Sequence, residues 1–441
     1  MQNRVDVVRD ATGRLDSLPR SVIEAGFPPA APMAELLSNE MTQSRANLAK
    51  KSLAAKRSRR LVLLAVALLV MLYQLSGLTG RFAGFMDDFI AYWAAGRLQL
   101  SGQSPYSYPL ISEVQRATGS TERHVMLYPP WAFSLLMLLG IPDYGSARFV
   151  WLLLNLGLLV LVANMLWALY GGPPHLKGLA WLIAFLFYPS LYLLRIGQMS
   201  LLVLLGLVVF LRYQREQRDW LAGMALFLAA LKPHLAYLFW IALALWVRRS
   251  KRWRLLASIA ATFLVTTTIP LVVNPDLLAQ SSEVWGNAQS PFFHYDTPTL
   301  GTILRKLLPA NERWLQLAPM ALGSVGLLIH WRKARHAWNW EQQVAVLLPV
   351  SSWTTLYCWT SDMVLLLPVV FQASVTASSL PTAQKCTWFG FLAGLNAFCF
   401  LINVLGARDF AYCWLTPVTL FGWWSLNRVA VGTGKRAGTS L

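Results

Sequence analysis

The chain is 441 residues long, 56% hydrophobic and only 13% charged, where soluble domains carry about a quarter charged residues, and this excludes a water-soluble fold for most of its length. The formal net charge of +18 would suit nucleic acid, but Lys and Arg fall in short clusters between apolar runs, as in the basic loops of inserted proteins; the expected partner is the membrane, with no nucleic acid. Cys358, Cys386, Cys399 and Cys413 lie in or beside apolar segments without CxxC or metal-ligand spacing, so they read as buried thiols rather than a disulfide framework or a metal site.

Residues 1–58 are rich in Arg, Asp, Ala, Ser and Pro, have weak periodicity, and run into the basic stretch Lys50, Lys51, Lys56, Arg57, Arg59, Arg60. They read as a disordered cytoplasmic tail. No cleavable signal peptide is visible, because the first apolar run begins only near Leu61. That run, Leu61–Leu78, is expected to remain as the first span and to leave Asp87 and Asp88 on the far face.

A helix needs about 20 apolar residues to cross, or somewhat fewer with thinning. Further spans are expected near 147–170, 178–195, 198–212, 218–231, 233–248, 254–273, 315–331, 340–357, 363–380, 387–406 and 410–426. The reading is an all-α polytopic membrane protein of about 12 transmembrane helices, with a membrane domain at 59–430 and a cytoplasmic tail at 431–441. The apolar piece Trp131–Ile141, set between Pro129-Pro130 and Pro142, is too short to cross comfortably and is expected as an interfacial helix in a long first external loop, 79–146. Leaving it out of the count puts the clusters at Arg212/Arg215/Arg218, Arg248/Arg249/Lys251/Arg252/Arg254, Arg332/Lys333/Arg335 and Arg428/Lys435/Arg436 inside, whereas counting it flips all four outward. Both termini are therefore expected in the cytoplasm. The outer face then collects the turns Arg195-Ile196-Gly197-Gln198 and Lys232-Pro233-His234, the loop 274–314, the turn Cys358 to Asp362, and Arg408-Asp409.

The first external segment reads Asp87-Asp88-Phe89-Ile90-Ala91-Tyr92-Trp93-Ala94-Ala95-Gly96-Arg97-Leu98. Asp88, Tyr92 and Ala95 are spaced four and three apart, on one face of a helix with Asp88 in its first turn. A carboxylate there can serve as a cap or as a chemical group.

At this point the sequence resembles glycosyltransferase family 87, the polyprenyl-phosphate-mannose-dependent alpha-1,2-mannosyltransferases of the GT-C membrane superfamily. The likeness rests on Asp88 through Tyr106, on Tyr128-Pro129-Pro130, on Gly197-Gln198 at a span start, on Lys232-Pro233 between two spans and on Ser352-Trp353 in a later one. The resemblance implies a GT-C-like fold and an aspartate in the first external loop acting as catalytic base; the matching position is Asp88, with Asp87 beside it. It implies an inverting membrane glycosyltransferase that moves a hexose, mannose first among them, from a polyprenyl-phosphate-linked donor to a lipid or glycan acceptor on the non-cytoplasmic face. The expected setting is the inner (plasma) membrane of a bacterium, and neither cofactor nor metal is expected.

Transfer from a lipid phosphate needs a carboxylate within reach of the acceptor hydroxyl and cations beside the departing phosphate. The outer-face cations available for the phosphate are Lys232, His234 and Arg195, with Arg305 read as structural. Tyr92, Trp93 and Gln198 are candidates for sugar or acceptor contact, as are His294 and Asp296 in Phe292-Phe293-His294-Tyr295-Asp296; Trp131 is a further aromatic candidate. Gln198 can equally cap a span, and a Lys before Pro also suits a tight hairpin. A secondary transporter or lipid flippase is the alternative from another class, but it calls for charges at mid-membrane depth, where the expected spans carry few. An O-antigen ligase or polymerase would place its key groups in a large later loop rather than in the first.

Overall fold

In a computed structural model the protein is described over residues 87–120, 124–286, 295–308 and 313–432, with Gln43 and Asn47. The expected first span Leu61–Leu78, His294 and most of both expected tails lie outside the described residues. The chain divides after Arg60 into two compact units, and every element below belongs to the second, Leu61–Leu441.

The described residues form helices, turns and irregular segments with no strand, as apolar segments that must satisfy their own backbone groups require. α1 (Asp87–Leu100), α2 (Tyr108–Arg116) and α3 (Phe133–Gly140) come first. There follow α4 (Tyr144–Leu169), α5 (Lys177–Leu186), α6 (Tyr188–Ile196), α7 (Ser200–Arg215), α8 (Asp219–Ala229), α9 (Tyr237–Ser250), α10 (Trp253–Val273) and α11 (Leu277–Gly286). The last part carries α12 (Leu300–Leu307), α13 (Arg313–Ala334), α14 (Trp340–Thr354), α15 (Leu367–Ser378), α16 (Thr382–Val404) and α17 (Leu415–Gly432).

Four described segments are long and apolar enough to cross a membrane: Tyr144–Leu169, Trp253–Val273, Thr360–Ser378 and Thr382–Val404. Pro174–Leu186 and α6 make a fifth only as a pair bent by 60°. Pro189 accounts for the bend, because its ring crowds the preceding turn and it has no N–H to give. The Tyr188 N–H left at the break is taken by Asn396 Oδ1 at 2.6 Å. The remaining expected spans fall on helices that are shorter or less apolar, so helix length and composition support four or five crossings among the described residues. α10 and α16 turn apolar side chains outward, Val272 being 77% exposed, whereas Thr360–Ser378 is almost wholly enclosed. Outward apolar faces on this scale belong in lipid.

The piece expected to be interfacial forms a 3-10 turn, Pro130–Ala132, and the eight-residue α3. It lies against α1 at a glycine crossing: a Cβ on Gly96 would run into the backbone at Leu136 and Gly140, and one on Gly140 into Arg97 and Gly96. α7 rises about 24 Å from Ser200 to Arg215. At its far end Arg215 meets Glu341 at 3.3 Å, and Arg249 meets His336 at 2.9 Å. These basic clusters gather at one end of the bundle, while Ser200, Lys232 and the segment after α14 gather at the other.

Candidate active site

At the end away from the basic clusters, a cavity of about 440 Å³ is lined by Asp88 and Tyr92 of α1, His124, Tyr128, Gln198, Lys232, Tyr295, Trp359 and Asp409. The Gly197 turn shapes one wall. Gly197 ends α6 in the left-handed region at φ 75°, which glycine adopts without strain, and its carbonyl accepts from Trp151 Nε1 at 2.8 Å. Gln198 follows and turns inward.

Gln198 ties the site together. Its Nε2 donates to Asp88 Oδ2 at 2.6 Å, and its Oε1 accepts from the Tyr128 hydroxyl at 2.9 Å, from the Met199 N–H at 3.0 Å and from the Tyr92 hydroxyl. The amide can face only this way, because an ionised carboxylate accepts and never donates. The two tyrosine hydroxyls also meet each other at 3.0 Å. Burial, with Asp88 adding to it at Tyr92, holds both phenols well above their ordinary value, so they stay protonated and able to donate. The Asp88 side chain is 29% exposed, and its Oδ1 stands 3.8 Å from His124 Nδ1, beyond hydrogen-bonding distance. The His124 backbone is clamped by Gln115, which donates to its carbonyl at 2.9 Å and accepts from its N–H at 3.0 Å.

Lys232 stands on a second, buried relay. Its Nζ is 2.7 Å from Asp362 Oδ1 and 3.2 Å from the Ser200 hydroxyl, and the Ser200 hydroxyl itself donates to the same Oδ1. Asp362 Oδ2 accepts from the Trp359 N–H at 2.9 Å. Burial alone would discourage the ammonium, but Asp362 and Tyr128 reverse it and hold Lys232 above the ordinary lysine value. An ammonium has three donors, two of which are used here. Lys232 lines the main cavity and also a neighbouring one of about 310 Å³, whose mostly apolar walls include Leu127, Pro129, Pro130, Trp131, Leu231 and Trp285. One pocket is therefore polar, the next apolar, and Lys232 and Tyr128 stand between them.

The structure brings Asp88, Tyr92, Gln198 and Lys232 of the expected residues to one cavity. Asp87 opens α1 beside Asp88. His234 lines the apolar cavity, its ring 4.1 Å from that of Tyr357. The other expected residues lie elsewhere. Trp93, one position from Tyr92, turns to a different face of α1, where its Nε1 donates to the Pro142 carbonyl at 2.9 Å. Arg195 is 2% exposed and does not line the cavity. Asp296 is exposed and pairs with Lys306 at 2.8 Å, while Tyr295 beside it faces the cavity. Arg305 is structural, holding the Tyr295 carbonyl at 2.7 Å and Gln316 Oε1 at 2.9 Å.

Sequence reasoning did not single out Tyr128, Ser200, Asp362, Trp359 or Asp409 as site residues. Tyr128 carried a signal as part of the Tyr128-Pro129-Pro130 step, and Trp359, Asp362 and Asp409 only as members of polar turns on the outer face. Among the described residues no three His, Cys, Asp or Glu side chains come together as a metal-binding group.

Residues 126–380 match the model of glycosyltransferase family 87, more than half of the chain. The match takes in Tyr128, Gln198, Lys232 and Asp362; Asp88 and Asp409 lie outside it. No curated protein and no solved structure matches the chain.

Proposed function

The chain belongs to glycosyltransferase family 87, and on that premise we propose that it is an inverting membrane enzyme moving a hexose, mannose first, from a polyprenyl-phosphate donor to a lipid or glycan acceptor. The observation that carries the reading is the Asp88 carboxylate, partly exposed on the cavity and held by Gln198, with the Lys232 ammonium lining the same cavity.

In this reading Asp88 accepts the proton of the acceptor hydroxyl as its oxygen bonds to the anomeric carbon. The bond from that carbon to the phosphate oxygen breaks, and the electron pair leaves with the polyprenyl phosphate. The remaining Lys232 donor meets the charge that grows on the leaving oxygen, and one displacement inverts the anomeric centre. The apolar cavity beside Lys232 suits the lipid end of the donor, with His234 near the phosphate, and the polar cavity suits the sugar. General-base assistance is worth about 10²- to 10⁴-fold in rate.

The GT-C-like arrangement with about 12 transmembrane helices, cytoplasmic termini and a catalytic face outside a bacterial inner membrane belongs to the same proposal. The gathering of basic clusters at the end opposite Asp88 supports it. The test is to reconstitute the protein in vesicles with labelled polyprenyl-phosphate-mannose or, separately, a labelled nucleotide-mannose. Transfer from the lipid donor alone supports the reading; transfer from the nucleotide sugar alone contradicts it.

A further inference from the structure

The chemistry above uses one carboxylate of the cavity, and a second faces the same space. Asp409 begins the short turn Asp409–Tyr412 between α16 and α17 and lines the cavity with Asp88, Tyr295 and Trp359. Its Oδ1 accepts from the Thr360 N–H at 2.8 Å and from the Thr360 hydroxyl, which fixes the group in place. No described residue donates to its Oδ2. Burial pushes the Asp409 carboxyl above the ordinary aspartate value, against the lowering effect of the Thr360 bonds. That leaves Oδ2, at the cavity wall, with acceptor capacity for an arriving donor.

Beside it stands an aromatic wall. The Tyr295 and Trp359 rings lie 5.2 Å apart at 56°, and Tyr357 meets Tyr295 at 5.7 Å. Both platforms are held from behind: Arg305 grips the Tyr295 carbonyl at 2.7 Å, and Asp362 grips the Trp359 N–H at 2.9 Å. A pyranose ring has an apolar C–H face and a rim of hydroxyl donors, and a rigid aromatic beside a fixed acceptor complements both.

We propose that Asp409, Trp359 and Tyr295 form a pyranose subsite in which a ring hydroxyl donates to Asp409 Oδ2 and the C–H face of the sugar rests on the aromatic wall. Asp409 is then the residue that sets specificity for that hydroxyl, distinct from the base. The inference rests on the glycosyltransferase reading and deepens it. The ring belongs to the donor or to the acceptor; both present the same chemistry.

The experiment compares wild type with Asp409→Asn on a series of donors and acceptors, each lacking one hydroxyl. Asparagine keeps an oxygen for the Thr360 N–H and hydroxyl, so the contact that anchors the turn survives. One deoxy analogue is expected to lower wild-type kcat/KM by about 10- to 100-fold, the scale of a hydrogen bond to a charged group. Asp409→Asn loses a similar factor on the parent substrate, mainly in KM, and little more on that analogue. Coupling in the donor series places the ring in the donor, and coupling in the acceptor series places it in the acceptor. Losses that multiply independently for every analogue would overturn the subsite while wild-type transfer keeps the enzyme reading. Saturation-transfer NMR with methyl glycosides reads the subsite without turnover. Affinity about tenfold weaker in Asp409→Asn than in wild type supports it, and equal affinity overturns it whatever the donor proves to be.

Discussion

Asp362 and Lys232, 130 residues apart in sequence, meet inside the protein with Oδ1 2.7 Å from Nζ, the carboxylate side chain 0% exposed and the ammonium side chain 7%. Removing one partner of such a pair leaves an uncompensated buried charge, a cost of about 3–5 kcal/mol. Asp362→Leu is therefore expected to unfold far more readily than wild type in a detergent stability assay. The double substitution Asp362→Leu with Lys232→Met should recover a large part of that loss, because the pair fails as a unit. A double variant as unstable as the sum of the single ones would show that the two groups act separately.

In the proposed mechanism Gln198 acts through Asp88. Its Nε2 fixes Asp88 Oδ2 at 2.6 Å, and a displaced general base costs about 10² in rate even when it remains present. Gln198→Leu is expected to lower kcat by about that factor with a smaller change in KM. A rise in KM at constant kcat would instead make Gln198 a group that binds substrate directly.

The approach of α3 to α1 has no room for a side chain at Gly96 or Gly140. Overpacking of a tight contact costs about 1–3 kcal/mol, and this contact carries the helix that presents Asp88. Gly96→Leu should lower both thermal stability and transfer. Substitution at Gly157, where a Cβ meets nothing within 4 Å, is the control and should change neither by comparable amounts.

Tyr92 and Tyr128 hold their protons to unusually high pH because burial raises both phenols well above the ordinary value. The folded protein keeps a proton that the unfolded chain releases near pH 10. Their neutral form therefore stabilises the fold fully below that pH, and the balance tips toward unfolding as pH rises beyond it. A tyrosinate absorbance titration of the native protein up to about pH 10.5 should be the same for wild type and for Tyr92→Phe/Tyr128→Phe. A smaller signal in the double variant would mean that these phenols titrate normally.

The membrane class was legible in composition alone, and the ends of the longest apolar helices fell within a few residues of where hydropathy put them. The broken pair at Pro189 was less legible, because a hydropathy run does not reveal a bend whose lost hydrogen bond is met by Asn396 from far along the chain. At the site, Gln198 and Lys232 stood out because each sits in a short polar turn between apolar runs, and Asp88 and Tyr92 because they share one face of α1 and fall in the segment that resembles the family. Trp93 stood out as an aromatic near Asp88, yet adjacent helix positions face different ways, and it turns to Pro142. Asp362, Trp359 and Asp409 become site residues only through contacts between segments remote in sequence. Asp296 drew notice as a charge, while its neighbour Tyr295 reaches the cavity because Arg305 holds its backbone there.

In the proposed mechanism Asp88 is the base of a sugar transfer. Wild type and Asp88→Asn, inserted in membranes to equal levels, would be given labelled polyprenyl-phosphate-mannose and followed for label on a lipid or glycan acceptor. Transfer by wild type is expected to fall about 100-fold or more in the variant, the low end of what a general base supplies. Equal transfer by the two proteins would contradict it.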